Sequence, residues 1–534
     1  WDNLQSTFAV SSGKWYWEVK MLSIPEAESF VAGIHQTGFA SQSLHWYSSD
    51  YTASADGIVF GVQDNNKKVT NTSQSAFTSD IAANDIVQFR LNLDDNELSV
   101  SVDGSDKGKL FDITANVEYT PALSIYKTTS CTMNFGQDST FVGTETAGGN
   151  ADENGNGDFH SAVPSGYLSL CSANLPEPTI GPNSDTQADE YFDTLTWTGN
   201  GADRDITSLS FKPDLVWTKS TGVNNSHYLF NSTRGVLKDL ESDNNDAEST
   251  EADSLEAFLS NGFSLGTNTN VNANGYGYMS WNWKANGGTT TTNDASATGV
   301  GSRDSVYQAD TTAGFSIVTY DGDSSDQNGT VSTIAHGLGA VPKMIIFKPL
   351  DNFDGVVYHA GNTSAPETDR LVLFSSSAHY ATSDDSGFFN DTAPTSTVFT
   401  IGARKHVNSN GGMIAFCWAE VEGYSKFGTF TGNADADGAF VYTGFRPAFV
   451  MIKNTNASSA GAVWFVFDDV RDTHNPMGNE LAWSNQEEHG GSDGNILIDF
   501  LSNGFKPRSN SYANQTTQIY MAFASSPFKY ANAR

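Results

Sequence analysis

Apolar and polar residues alternate along much of the chain, and this pattern predicts β-strands. From Val87 to Leu93 every second residue is large and apolar, and after an Asp/Asn turn at 94–96 the alternation resumes at 98–102. Successive side chains of a strand point to opposite faces, so a period of two indicates strands with one buried face. Two such strands joined across a short polar turn predict a β-hairpin.

A threefold repeat organises the chain beyond its first third. The hexapeptide FLSNGF occurs unchanged at 258–263 and at 500–505. Each of three copies also has a proline, Pro213, Pro342 or Pro447, before an apolar run that contains a lysine. A closing aromatic segment follows each proline at a similar distance. Order and spacing together predict three copies of one domain, each large enough for its own core.

The segment 252–259 is the one place where helical spacing competes with a strand. Leu255, Phe258 and Leu259 recur at intervals typical of a helix. The counterpart in the third copy, at 496–501, has the pattern of a strand. Because copies of one repeat share a fold, we predict a strand here.

These patterns divide the chain into four predicted domains. Residues 1–180 precede the repeat, and the three copies occupy 181–288, 289–424 and 425–534. A stretch rich in Thr, Gly and Asn at 286–300 has the composition of a linker. The predicted fold class is all-β: a β-sandwich followed by three related, jelly-roll-like β-sandwich domains.

Composition supports this fold class and limits the partners. The 534 residues include 49 glycines and 12% aromatic residues, which suits strands joined by many turns. With 62 acidic and 28 basic side chains, the formal charge is −34. Nucleic acids and anionic membrane surfaces need clustered Lys and Arg, so neither is expected as a partner. No apolar run is long enough to cross a bilayer, and membrane insertion is not expected.

The three cysteines do not form a disulfide framework. Cys131, Cys171 and Cys417 are sparse, odd in number and set among apolar residues. We predict free, buried thiols, with a Cys131–Cys171 bridge as the alternative.

The first predicted domain resembles a SPRY domain. The motifs that carry the resemblance are GKWYWEV, an FGV strand, the hairpin VQFRLNLDDNELSVSVDG, and YTPALSI followed by MNFG, in that order within residues 8–180. The resemblance implies a concanavalin-like β-sandwich that binds protein partners through its loops and has no catalytic residues.

The repeats resemble tail-fibre proteins of bacteriophages, marine ones especially. HGLG at 336–339 with Pro342 and Lys348, GFRPAFVMIK, NPMGNELAW and the closing DFLSNGFKPR…YMAFASSPFK carry this resemblance over residues 190–530. It implies a virion appendage on the particle surface and, because such fibres are commonly threefold, a homotrimer. The chain begins at Trp1 without a methionine, so we expect a preceding segment that contacts other virion proteins.

Catalytic motifs are weak. A G-x-S-x-G string at 490–494 lies among polar residues and lacks the strand and helix that a nucleophile elbow requires. The carboxylate pair Asp94-Asp95 falls in a hairpin turn. For Asp468-Asp469 a structural pair with Arg471 is favoured over glycoside hydrolysis. We therefore predict no catalytic residues.

One calcium-like turn remains as a candidate metal site. Asp152, Asn154 and Asn156 recur at alternate positions before a glycine, as oxygen ligands do in the first half of a calcium loop. The twelfth position is Val163, where a bidentate Glu should stand. A plain turn is the first interpretation and a structural calcium ion the alternative; no other cofactor is expected.

Aromatic residues of the first domain are the candidate receptor contacts. Trp46, Tyr47 and Tyr51 lie in a polar stretch, where they would stack on a sugar or anchor a protein. Ordinary core positions in a sandwich are the alternative.

We therefore expect a non-enzymatic virion structural protein that attaches to a host cell-surface glycan or protein. The alternatives are a polysaccharide-degrading tailspike, a purely architectural appendage or decoration protein, and an extracellular adhesin.

Overall fold

The chain divides into two compact units. The computed structural model describes residues 2–25, 29–38, 59–63, 67–70, 74–77, 80–115, 117–181, 185–362, 365–368, 371–372, 386–455, 463–482 and 497–530. The first unit is Trp1–Glu177 with Ala439–Tyr442, and the second is Pro178–Gly438 with Thr443–Arg534. Apart from the stretch Ala439–Tyr442, all three copies of the repeat thus belong to the second unit, and the boundaries predicted between them stay predictions. In these described stretches, no helix has the length and apolar character needed to cross a membrane.

The first unit is built from short antiparallel strands. In chain order they are β1 (Asp2–Gln5), β2 (Lys14–Ser23), β3 (Phe30–Gln36), β4 (Val59–Gln63), β5 (Lys67–Thr70), β6 (Gln74–Ala76), β7 (Ile86–Asn92), β8 (Glu97–Val102), β9 (Ser105–Asp112), β10 (Tyr119–Ile125), β11 (Ser130–Asn134) and β12 (Leu168–Ser169). One sheet has the order β1-β10-β3-β4-β5-β6 and the other β11-β2-β7-β8-β9, with β12 parallel to β2.

The apolar faces of these two sheets form one core. The predicted hairpin is confirmed as β7 and β8, with Phe89 opposite Val100. On the neighbouring strand β2, Trp17 is fully buried and stacks on Phe89 with ring centroids 5.1 Å apart. Alternation along β7 therefore buries the residues that the period of two indicated.

The remaining strands belong to the three copies of the repeat. The first copy has β13 (Phe192–Thr198), β14 (Arg204–Thr207), β15 (Leu215–Ser220), β16 (Tyr228–Asn231), β17 (Lys238–Asp239), β18 (Ser249–Thr250), β19 (Leu255–Leu259), β20 (Gly262–Leu265) and β21 (Gly277–Trp283). The second has β22 (Thr291–Asn293), β23 (Ser305–Asp310), β24 (Phe315–Tyr320), β25 (Ser332–Ala335), β26 (Met344–Pro349), β27 (Val356–His359), β28 (Leu371–Val372), β29 (Val398–Ile401) and β30 (Met413–Trp418). The third has β31 (Ser425–Asn433), β32 (Val441–Tyr442), β33 (Phe445–Asn454), β34 (Trp464–Asp468), β35 (Leu481–Ala482), β36 (Ile498–Leu501), β37 (Gly504–Pro507) and β38 (Gln515–Pro527).

Helices are short. Among the described residues, the three single-turn α-helices are α1 (Thr269–Asn272), α2 (Ala295–Thr298) and α3 (Lys405–Asn408), and 3₁₀ turns lie at Ser172–Asn174, Ala188–Glu190, Tyr512–Asn514 and Phe528–Tyr530. The all-β prediction is confirmed. The competing helix at 252–259 is absent, because Leu255–Leu259 is strand β19, paired with β20.

Each copy packs a main sheet against a small one. The main sheets have the orders β13-β21-β15-β16, β22-β23-β24-β30-β26-β27-β28 and β31-β38-β33-β34-β35. The facing small sheets contain β14-β20-β19, β25-β29 and β37-β36. In the first copy Val216, Phe230 and Tyr278 of the main sheet form a core with Phe263 and Leu265 of the small sheet.

The repeated prolines stand near the start of the central buried strand. Pro213 and Pro342 lie two residues before β15 and β26. Pro447 lies inside the longer β33, at a position where the register with β38 shifts. Proline lacks the N–H that a ladder requires, so it is accommodated before a strand or at such an irregularity.

The opposite faces of the three main sheets meet in a shared aromatic core. Trp283, which is fully buried, has its ring centroid 5.9 Å from Trp418 of the second copy. It also lies 6.0 Å from Phe449 and 5.7 Å from Phe523, both in the third copy. Phe192 of the first copy stacks on Phe523 at 4.9 Å. One tryptophan therefore joins all three copies.

Polar contacts close these copies into a ring. Gln308 of the second copy donates to Ser232 Oγ at 2.8 Å in the first. The ring of His359 in the second copy contacts the carbonyl oxygen of Tyr520 in the third, with Nε2 at 3.0 Å. Burial lowers the pKa of His359 to about 4, and its Nδ1 accepts from Gly361 N, so the neutral ring donates through Nε2.

A buried asparagine recurs at the same place in every copy. Asn272, Asn408 and Asn514 are fully buried, each at the end of a short helix or 3₁₀ turn. Their amide groups donate to the carbonyl oxygens of Gly266, Gly402 and Ser509, respectively, at 2.8–3.0 Å. Each asparagine therefore ties the chain before the last strand to the small-sheet strand that precedes it.

The shared core predicts that Trp283→Ala destabilises the whole second unit. Loss of a fully buried tryptophan that contacts three copies should lower the free energy of unfolding by about 3–5 kcal/mol. Urea unfolding, followed by fluorescence and calorimetry, measures the change.

Tyr276→Ala is the matched control, since Tyr276 is in the same copy but 44% exposed. Its change should stay within about 0.5 kcal/mol. Equal losses in the two variants would contradict a shared core centred on Trp283.

Candidate functional site

The calcium-like turn of the first unit is organised by the protein's own N–H groups. Asp152 is 6% exposed, and its Oδ1 accepts from the backbone N–H of Asn154 and Asn156, each at 2.9 Å. Its Oδ2 accepts from Ser169 N at 2.8 Å and Asn174 Nδ2 at 2.7 Å. Burial alone would raise the pKa of this carboxyl group, but these donors outweigh burial and hold the pKa below its usual value. Both carboxylate oxygens thus have partners, and the calcium ion stays a prediction.

Two groups of predicted residues lie outside the described part of the chain. These are the aromatic candidates Trp46, Tyr47 and Tyr51, and the G-x-S-x-G string at 490–494.

The acidic pair of the third copy binds arginines. Asp468 Oδ2 accepts from Arg471 Nε at 2.6 Å, and both side chains are almost fully buried. Asp469 pairs with Arg446 at 2.8 Å. The structural Asp–Arg pair predicted for Asp468 and Arg471 is confirmed.

The described thiols and metal-binding types of side chain form no further cluster. Cys131, Cys171 and Cys417 are free, and of these only Cys417 is fully buried, whereas Cys131 and Cys171 are partly exposed. Across the described ranges, no group of three or more His, Cys, Asp and Glu side chains is placed to hold a metal ion.

A short motif lies at the end of the strand that pairs with the last strand of each copy, and it marks a groove. Its sequence is Thr-aromatic-Thr/Asp-Gly-Asn/Asp, at 196–200, 319–323 and 429–433. The aromatic residue is buried in each copy. In the first copy, a Cβ on Gly199 would overlap the carbonyl of Ala273, so only glycine allows this close approach. The motif is visible in the sequence, but it was not recognised there as a site.

The groove of the first copy, which we call the threonine groove, has a volume of about 460 Å³. Its lining residues are Thr196, Trp197, Thr198, Thr221, Gly277, Tyr278 and Arg471. Strands β13 and β21 place the first-copy residues side by side, with Trp197 opposite Tyr278. Arg471 enters from the third copy, so the groove depends on closure of the ring. Its volume lies within the range of small-molecule sites, roughly 300–1,000 Å³.

Three threonine hydroxyl groups of the threonine groove make no hydrogen bond within the described protein. Thr196 and Thr198 are exposed and Thr221 is half-buried. In the described chain, none of these hydroxyls has a hydrogen-bond partner. The polar ends of the aromatic residues are used internally, since Trp197 Nε1 donates to Val271 O and Tyr278 Oη to Thr269 O.

Arg471 brings no free positive charge to the threonine groove. Besides its ion pair with Asp468, its Nη2 donates to Val466 O at 3.0 Å, and Nη1 donates to Asn479 O. The groove is therefore formally neutral and rich in hydroxyl groups, in a protein with a charge of −34.

The second copy has a groove at the equivalent position, with a different lining. It measures about 230 Å³ and includes Thr319, Tyr320 and Asp321 of the motif. Residues Asp304, Ser305 and Val306, at the start of strand β23, form part of its wall. Strand β23 pairs with β24, whereas the corresponding strand β13 is an edge strand. This added strand makes the second groove smaller and more acidic.

Each copy also buries a lysine at the equivalent position of its central strand. Lys219, Lys348 and Lys453 are at most 1% exposed. Lys348 Nζ donates to Asn244 O of the first copy at 2.8 Å, which adds a contact between copies. Burial lowers the pKa of Lys348 to about 8 and that of Lys453 to about 7. Lys453 Nζ also lies over the ring of Trp464, 5.5 Å from its centroid.

Comparison with known proteins identifies the family of the second unit. Residues 187–527, more than half of the chain, match the model of a family described as a domain of unknown function, DUF7483. The chain belongs to the DUF7483 family. A SPRY model matches residues 14–138, so the first unit contains a SPRY domain, as its motifs suggested. No curated protein matches the chain.

Solved structures similar to the chain include two SPRY domains. The SPRY domain of human HERC1 is 14% identical, with 24% of this chain and 80% of that chain covered and a TM-score of 0.21. The PSpry domain of TRIM65 is 15% identical, with 24% and 69% covered and a TM-score of 0.20. At these TM-scores the two structures carry no further argument, and the SPRY assignment depends on the family model.

The buried lysines predict an unusual pH dependence of stability. The pKa of Lys453 is about 7 in the folded protein, against about 10.4 for an unfolded chain, so the unfolded state binds more protons between these values. Stability should therefore rise with pH across this window. Lys453→Met should remove that rise. The urea midpoint of wild type should therefore increase relative to that of the variant between about pH 7 and pH 10.

Lys238→Met is the control, because the Lys238 side chain is 35% exposed. The difference in urea midpoint between Lys238→Met and wild type should change little over the same pH range. Parallel curves for wild type and Lys453→Met would contradict the lowered pKa.

Proposed function

We propose that the chain is a non-enzymatic attachment protein of a virus particle, a subunit of a phage tail fibre that binds the host cell surface. The observation that supports this best is the threonine groove, a hydroxyl-lined groove of binding-site size on a rigid scaffold. The HGLG motif and the other tail-fibre-like motifs of residues 190–530 support the virion location.

The shared core suits the mechanical demands of attachment. Trp283 and its neighbours join three copies into one body, so a groove formed between copies keeps its geometry under load. Binding residues are often presented on loops and strand ends that a rigid β scaffold positions. The SPRY domain offers a second binding surface for a protein partner.

Charge indicates how such a protein would reach its partner. At −34 the protein repels anionic cell envelopes, so long-range attraction does not drive attachment. The Debye length falls from about 10 Å at 0.1 M salt to about 3 Å at 1 M, which screens that repulsion. Recognition of a host glycan or protein then depends on short-range hydrogen bonds and aromatic contacts.

Assembly on the particle completes the proposal. We propose that the chain forms a homotrimer and joins other virion proteins. We propose three chains because the fibres that the repeats resemble are commonly threefold. Sedimentation of the purified chain tests it, and a monomer at micromolar concentration would contradict it.

The proposal predicts that the purified chain competes with virus particles for host cells. Pre-incubation of cells with the chain should reduce adsorption, and the reduction should hold or increase as NaCl rises from about 0.1 M to about 1 M. Adsorption counts with heat-denatured chain as the control measure the effect. No reducing sugar should appear in the medium.

Two outcomes would redirect the proposal. A steep loss of competition with added salt would indicate attachment through a basic patch. Release of reducing sugar that depends on particular carboxylates would indicate a polysaccharide-degrading tailspike.

A further inference from the structure

We propose that the threonine groove binds an uncharged saccharide. This inference rests on the proposed attachment function and names the chemistry of the ligand. It is carried by three unpaired hydroxyl groups that converge on one groove, together with the neutrality of the groove.

The lining selects against other classes of ligand. The guanidinium of Arg471 is held by Asp468 and two carbonyl oxygens, so no free cation faces a phosphate, sulfate or carboxylate. The hydroxyls of Thr196, Thr198 and Thr221 would each lose solvent contacts beneath an apolar ligand without replacement, which is unfavourable. A neutral polyhydroxylated ligand instead supplies both donors and acceptors to them.

The surroundings add an aromatic surface. Tyr276 directly precedes the lining residue Gly277 and is 44% exposed, unlike the buried Tyr278. An exposed tyrosine offers an apolar ring face and a polar hydroxyl, which suits the mixed faces of a sugar ring. A volume of about 460 Å³ accommodates a short saccharide.

The equivalent groove of the second copy provides an internal contrast. Asp304 and Asp321 line it, and its volume is about half as large. Both grooves are thus lined by the same motif at a strand end, but the other lining residues differ. We assign neutral saccharide binding to the groove of the first copy alone.

Saturation-transfer NMR with the full chain tests the assignment. The probes are maltotriose, cellotriose and a galactose trisaccharide at millimolar concentration, with trigalacturonate as the anionic counterpart. At least one neutral trisaccharide should show transfer and outcompete trigalacturonate. The double variant Thr196→Val/Thr198→Val removes two hydroxyls at nearly constant volume and should weaken binding roughly tenfold.

A second variant tests the position without removing a hydroxyl. A Cβ at Gly277 would lie 2.6 Å from Thr221 Oγ1, the end of a flexible side chain, and Gly277 has no left-handed φ that would favour glycine. Gly277→Ala should therefore fold and obstruct the groove. Thr207→Val, at an exposed threonine of strand β14 outside the groove, is the control and should bind like wild type.

The results separate this inference from the proposed function. Absence of transfer from every neutral trisaccharide, or transfer that survives both groove variants, would overturn the saccharide site. Stronger transfer from trigalacturonate than from the neutral sugars would also overturn it. Saccharide binding by a chain that does not compete with particles would uphold the site and contradict the attachment function.

Discussion

Burial of aromatic rings between the three copies is the interaction on which the second unit depends. Trp283 contacts Trp418, Phe449 and Phe523, so it touches both other copies at once. Each main sheet therefore has two apolar faces, one against its own small sheet and one against its neighbours. Fully burying an aromatic side chain stabilises the folded state by a few kcal/mol. Neither neighbouring copy alone would bury Trp283 fully. These contacts consequently hold the copies together.

Such two-sided burial also explains the recurrent polar residues. Polar groups of a sheet enclosed on both faces are stabilised by internal hydrogen bonds, because an unpaired buried group costs free energy. The side-chain amide N–H groups of Asn272, Asn408 and Asn514 make such bonds to backbone carbonyl oxygens. His359 and Lys348 do so with carbonyl oxygens of neighbouring copies. These polar contacts fix the relative register of the copies, which apolar packing alone specifies poorly.

The grooves of the first two copies differ where this shared plan is modified. Strand β23 pairs with β24 in the second copy, while the corresponding strand β13 of the first copy is left at the sheet edge. The same motif then lines an acidic groove in one copy and a neutral, hydroxyl-rich groove in the other. A repeated scaffold thus presents two chemically distinct surfaces, which is consistent with an attachment protein. The proposed role depends on these surfaces, since the family itself is described only as a domain of unknown function.

The sequence by itself determined local structure and repetition. Period-two alternation predicted the hairpin of β7 and β8, and agreement between copies predicted strand β19, because strand geometry places alternate residues on opposite faces. The motifs of residues 14–138 were sufficient to indicate the SPRY domain. The Asp468–Arg471 pair also followed from its short spacing in the chain.

Only the tertiary structure decided how the copies combine and where the groove lies. Both faces of a doubly buried sheet are apolar, so the pattern does not reveal which face meets another copy. Trp283 and Phe449 are far apart in sequence, and their contact depends on ring closure. Arg471 reaches the threonine groove for the same reason, from a different copy. Sites built between distant segments leave no periodic signal in the chain, because spatial proximity, not spacing, brings their residues together.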